Sequence, residues 1–263
     1  MKQNNQPSFQ LGCGLIRIGR VWGVDSKPVP TEAKAQEFLE TAFELGIRFF
    51  DTAPAYGLSE DRLGTFLKKL TAQQRSEITV ATKFGEHWDT ETNQTFVDHS
   101  YKKLQESYEK SLSKLGKIDL LQLHKAGIQN LQSDDVSQAF EFVRKSGTTF
   151  LGASISDLET GAVACKDARL QYIQLPYNQE RSELLAVIQL AKENSKKILF
   201  NRPFAMGAIT LDTTQTTKKA KMVEAFKFIQ KTNCPGVILS GTGSPEHLKE
   251  NLGVFKKVIK KSN

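Results

Sequence analysis

Eight short apolar runs, each followed by a longer amphipathic segment, recur along the chain and constrain its fold more than any other feature. The runs read LGCGLIRI, IRFFD, ITVATK, DLLQLH, TFLGASIS, YIQLPYN, ILFNRPF and GVILSGT. Apolar runs of this length suit strands buried on both faces. The segments between them, such as TEAKAQEFLETAFEL and ERSELLAVIQLAKEN, carry the helical period. In the first, Ala35, Phe38, Leu39, Ala42, Phe43 and Leu45 fall near one stripe. Thr31, Ser133 and Ser244 mark helix starts, the last with Pro245 and Glu246 in its first turn. There is no linker, low-complexity tract or internal repeat beyond this rhythm. Strand and helix alternating in this way predict a single α/β domain over residues 1–263, a (β/α)8 TIM barrel. A doubly wound open sheet is the alternative. Its nucleotide fingerprint is missing, because Gly12, Gly14 and Gly19 are spaced GxGxxxxG and not GxGxxG.

Composition narrows the class of partner. Hydrophobic residues make up 39% of the chain and charged residues 25%, ordinary values for a globular protein. No apolar run approaches the roughly 18 residues a spanning helix needs, and MKQNNQPSFQ lacks the apolar stretch of a secretory leader. Cys13, Cys165 and Cys234 are scattered without CxxC spacing, which fits a reducing compartment. A cytoplasmic protein is expected. The net charge of +7 gathers partly in TTKKAKMVEAFKF and KKVIKKSN, where lysines alternate with apolar residues at helical spacing and read as solvated helix faces. No nucleic-acid motif accompanies them, so neither nucleic acid nor membrane is the expected partner. A small phosphorylated ligand suits the charge.

Barrels of this class carry their chemistry where strands end and loops begin. At those positions stand Asp51 with Tyr56 in its loop, Lys83 at the end of ATK, and His124 at the end of LLQLH. Each follows an apolar run, where a polar group needs a partner or a task. A phenol titrates near pH 10, too high for efficient acid–base work near neutrality. An ammonium beside it favours the phenolate and is expected to lower that value. The carboxylate keeps the lysine charged and pointed, and the imidazole can share charge with a carbonyl oxygen becoming an alkoxide. Such a set can protonate a carbonyl reduced by hydride. No side chain supplies hydride, which implies a nicotinamide cofactor. His87, His99 and His247 have no mutual ligand spacing, and no metal site is expected.

FELGIRFFDTAPAYGLSEDRLG, TKFG, EKSLSKLGKIDLLQLH and SGTGSPEHLKENL, in that order, resemble successive signatures of the aldo-keto reductase family. The resemblance implies an NAD(P)H-dependent reductase of aldehyde, ketone or sugar carbonyls, with Tyr56 as proton donor supported by Asp51, Lys83 and His124. It implies NADP(H) as cofactor, with NAD(H) open. Gly14, Asp51, Ser154, Gln174, Arg202, Gly241, Thr242, Gly243, His247, Glu250 and Asn251 would bind that cofactor. Ser154 and Gln174 would hold the carboxamide, and the residues from Gly241 onward would surround the adenosine end. The last loop offers amides and a helix N-terminus for phosphate. It lacks the basic residues relatives often place there, so weak discrimination between NADPH and NADH is expected. Trp22, Tyr56, Phe84, Trp88 and His124 would line the substrate pocket, with His87 near the same mouth. A short tail after NLGVF predicts an open pocket. Two other readings remain: a non-catalytic, nucleotide-binding barrel with a regulatory role, and a cofactor-free lyase or hydrolase using His124 and Asp51.

Overall fold

The computed structural model describes residues 9–211 and 213–259. Most of the segment read for a leader, and the end of the lysine-rich tail, lie outside them. Among the described residues ten strands follow one another: β1 (Gln10–Gly14), β2 (Phe49–Asp51), β3 (Thr79–Phe84), β4 (Glu86–Asp89), β5 (Gln94–Val97), β6 (Leu120–Leu123), β7 (Phe150–Ser154), β8 (Tyr172–Pro176), β9 (Lys197–Asn201) and β10 (Gly236–Ser240). Eight close into a barrel in the order β1-β2-β3-β6-β7-β8-β9-β10, and β10 pairs back onto β1. Every pairing in the barrel is parallel. Each predicted apolar run overlaps one barrel strand, with β1, β3 and β9 each reaching one residue beyond it. The antiparallel β4–β5 hairpin was not anticipated; it projects from the end of β3.

Two apolar layers hold the barrel. Phe49, Ala81, Leu120, Tyr172, Leu199, Val237 and Leu239 form one cluster, and the second, larger one includes Phe38, Phe50, Phe66, Phe84 and Phe140. The period of two along a strand explains the division. Phe49, Ala81, Leu120 and Tyr172 each sit two residues before Asp51, Lys83, Gln122 and Gln174, so their side chains share the interior face. The buried polar groups therefore stand on an apolar plug at the C-terminal end of the barrel.

The helices begin where their caps say they should. Thr31 accepts from the Lys34 amide to open the helix Glu32–Glu44, and Ser133 accepts from Val136 to open Asp134–Lys145. Ser244 accepts from the His247 amide at 3.3 Å, at the start of Pro245–Ile259. Among the described residues no helix is long and apolar enough to cross a membrane.

Candidate active site

At the C-terminal end of the barrel lies a cleft of about 1240 Å³. Its floor is a buried ion pair. The Lys83 ammonium donates to Asp51 Oδ2 at 2.7 Å and to the Thr52 carbonyl at 2.9 Å, and both charged side chains are buried. Gln122 and Gln174 donate to the same carboxylate at 3.0 and 3.3 Å. Burial alone would depress the lysine, but the Asp51 carboxylate and the Tyr56 hydroxyl hold it above its ordinary value, so it stays charged.

Tyr56 sits above this pair. Its ring centroid is 4.9 Å from the Lys83 ammonium and 5.9 Å from the His124 ring, which meets it edge-on. Burial pushes the phenol above its ordinary value; Lys83 opposes this by charge and hydrogen bonding, and Asp51 reinforces it. The expectation of a lowered tyrosine is therefore not met, because desolvation of the phenolate outweighs the ammonium. At neutral pH Tyr56 carries its proton.

His124 is held well below the usual imidazole range by burial first, then by Lys83, Lys125, Arg20 and His99. It is neutral. Its Nδ1 stands 3.0 Å from Glu86 Oε2 at the start of β4, out of line for a hydrogen bond. The His124 carbonyl is paired with His99 Nε2 at 2.8 Å. Glu86, which the sequence reading missed, is thus the carboxylate that faces this ring.

A contact between backbones fixes the tyrosine turn. A Cβ at Gly19 would lie 1.8 Å from the Tyr56 carbonyl oxygen and 2.6 Å from the Ser59 nitrogen. The Leu58 amide donates to the Gly19 carbonyl at 3.1 Å. Gly57 completes the fit with a left-handed backbone, φ 59°. The loop after β1 and the loop after β2 are locked together at this point.

The cleft gathers most of the remaining predicted residues. Gly14, Ser154, Gln174 and Arg202 line it, as do Gly241, Thr242, Gly243, His247 and Asn251. Gln174 uses its amide group on Asp51, while its Oε1 is buried without a hydrogen-bond partner, as is the Oδ1 of Asn201, which also lines the cleft. Two orphaned acceptors in a cleft suit a carboxamide that brings its own N–H groups. Glu250 does not line the cleft. It takes the Lys218 ammonium at 2.6 Å and the Gln215 amide at 2.5 Å. Of the substrate candidates, Trp22 lines the cleft, but Phe84 is fully buried and stacked on Phe140 in the outer layer. Trp88 is half-buried and meets the Arg20 guanidinium at 5.5 Å without itself lining the cleft. His87 packs on Phe96 in the hairpin, with its Nε2 3.1 Å from the Asp98 carbonyl.

The sequence reading also missed cations. Arg17, Arg20, Lys27, Lys34, Lys125 and Lys218 line the cleft beside Arg202. Lys218 and Lys27 act on His247, which burial and these two charges hold below its ordinary value. Lys249 is exposed and does not line the cleft.

Comparison with known proteins bears on the family and the fold. The aldo/keto reductase family model matches residues 10–234. The chain is 28% identical over 235 residues to the uncharacterized oxidoreductase YqkF of Bacillus subtilis, covering 85% of this chain and 74% of that one. It is 30% identical over 217 residues to L-galactose dehydrogenase of Arabidopsis thaliana, covering 76% of this chain and 63% of the relative. The fold matches aldo-keto reductase AKR11C1 of Bacillus halodurans with a TM-score of 0.76 at 22% identity, over 98% of this chain and 93% of that one.

Proposed function

The chain belongs to the aldo/keto reductase family and is an NAD(P)H-dependent oxidoreductase, and on that premise we propose that it reduces an aldehyde or ketone carbonyl, sugars included, with Tyr56 as the proton donor. One observation carries the reading. A protonated phenol stands over a buried Asp51–Lys83 pair, beside a neutral imidazole, at the floor of a cleft with unpartnered amide oxygens. Nicotinamide, when bound, supplies the hydride. Gln174, Asn201 and Ser154 hold its carboxamide in this reading, and Gly241–Gly243 with the following helix N-terminus receive phosphate. Tyr56 gives its proton to the carbonyl oxygen. Lys83 stabilises the phenolate left behind, and Asp51 keeps the ammonium charged and aimed. His124 and Trp22 flank the carbonyl and exclude water from it.

The proposed cofactor is NADP(H). The expectation of weak discrimination rested on the last loop alone, whereas Lys218 and Lys27 reach the same region from elsewhere in the chain. Protein fluorescence titrated with NADPH and NADH, followed by an aldehyde panel, tests the whole reading. NADPH should bind more tightly, and the preference should weaken as salt rises. Lys218→Ala should reduce that preference about tenfold, the scale of a lost charge-assisted hydrogen bond. Equal affinities in the unaltered protein would reject the clamp, and binding of neither nucleotide would reject the function. Three buried free thiols suit a reducing setting, and the proposed location is the cytoplasm.

A further inference from the structure

We propose that the substrate of this site is a carbonyl compound carrying a carboxylate or phosphate, and that Arg20 grips that group. The proposal rests on the reductase reading above and deepens it. Arg20 follows Gly19, so its backbone is held against the Tyr56 turn. Its guanidinium stands 5.2 Å from the Trp22 ring and 5.5 Å from the Trp88 ring. Two aromatic rings confine the cation without neutralising it. Its Nε is shut off from solvent with no hydrogen-bond acceptor. Arg20 lines the cleft together with Tyr56 and His124.

A second arginine converges on the same ring. The Arg202 guanidinium is 5.6 Å from Trp22, and its charge interacts with the Tyr56 hydroxyl. Arg202 is held there by a left-handed backbone, φ 54°, which costs a non-glycine residue free energy. Among the described residues, no carboxylate lies within ion-pair distance of either guanidinium. The carboxylates at this end face other groups: Asp51 is paired with Lys83, and Glu86 lies 3.0 Å from the neutral His124 ring and 3.9 Å from the Lys125 ammonium. Two guanidiniums sharing one indole repel each other unless an anion joins them. An arginine fork matches carboxylate and phosphate oxygens in pairs, which a neutral sugar or aldehyde does not offer. Of the other cleft cations, Arg17 and Lys27 pair with Asp25, Lys218 pairs with Glu250, Lys125 lies 3.9 Å from Glu86, and Lys34 is solvent-exposed near the start of the helix Glu32–Glu44.

The test compares twin substrates with NADPH: butanal against succinate semialdehyde, and glyceraldehyde against its phosphate ester. The charged twin should have the higher kcat/KM by about 10- to 100-fold, through KM more than kcat. The pair that shows the larger ratio identifies carboxylate or phosphate as the anion. Arg20→Gln should collapse that ratio to near one, and Arg20→Lys should restore part of it. Nucleotide affinity, measured separately by fluorescence, should differ little between the variant and the parent. Equal efficiency for both members of each pair in the parent would overturn the proposal while leaving the reductase reading standing. An Arg20→Gln defect that falls equally on charged and neutral twins, or on NADPH affinity, would overturn it in favour of a cofactor or structural role. Failure to bind any nicotinamide nucleotide would overturn both readings together.

Discussion

Tyr56→Phe should lower carbonyl reduction by at least the roughly 100-fold expected for loss of a general acid, with nucleotide affinity nearly intact. The reasoning is local. The change removes one oxygen from the cleft and leaves the ring, its edge-on contact with His124 and the Lys83–Asp51 pair in place. Burial holds the phenol above its ordinary value, so the proton is present throughout the neutral range. Reduction, which needs the protonated phenol, should hold through neutral pH and fall as pH rises through the Tyr56 pKa. The reverse reaction needs the phenolate and should gain over the same interval. Steady-state rates from neutral to alkaline pH, together with a fluorescence titration of the variant, check both statements. Near-normal turnover in Tyr56→Phe would remove Tyr56 from its assigned role.

The second large effect is expected at Lys83. Lys83→Met should slow reduction about as severely as Tyr56→Phe, and it should also destabilise the fold. It takes away the ammonium that opposes desolvation of the phenolate, so the Tyr56 pKa should climb further and the alkaline limb should move up with it. It also leaves Asp51 buried without a cation, a change that typically costs about 3–5 kcal/mol. Thermal melts therefore separate this variant from Tyr56→Phe, which should melt near the parent. Asp51→Asn should be milder in activity, since the lysine remains but is less firmly aimed. The double variant of Lys83 and Tyr56 should lose little more activity than either single one, because the two groups act as a unit. Fully additive losses would show that they work independently.

Much of this was written in the residue pattern. Apolar runs ending in Asp51, Lys83 and His124 revealed both the strands and the face on which those groups meet, since each is an ionisable group standing where a buried stretch ends. Cap residues Thr31, Ser133 and Ser244 were readable because capping is a local hydrogen bond. The same local logic explains the error at Phe84: neighbouring strand residues point to opposite faces, so an inward Lys83 sends Phe84 outward against Phe140. That signal was present and not used. The β4–β5 hairpin carried a weaker one, because EHWD and QTFV are short, polar and outside the eightfold rhythm. Glu86 is hidden there, and its partner His124 lies in a different barrel segment. Lys218 escaped notice for a related reason. It belongs to the helix Gln215–Gln230, whose lysines read as solvent-facing until the chain was folded. The level of the Tyr56 pKa was beyond sequence reasoning as well, because it depends on how tightly the hydroxyl is packed and not only on which charge stands nearby.

The meeting of Gly19 with the Tyr56 carbonyl has a bearing on how such a barrel can diversify. Loops at the open end of this architecture are usually treated as interchangeable modules, each replaced without disturbing its neighbours. Here the first and second loops touch backbone to backbone, with no side chain between them to absorb a change. A new first loop can bring other groups to the cleft only if it keeps a residue without a Cβ at position 19. Exchange of either loop alone must preserve this contact, whereas exchange of the segment from Gly19 to Gly57 carries it whole, and Tyr56, the proposed proton donor, then travels with Arg20.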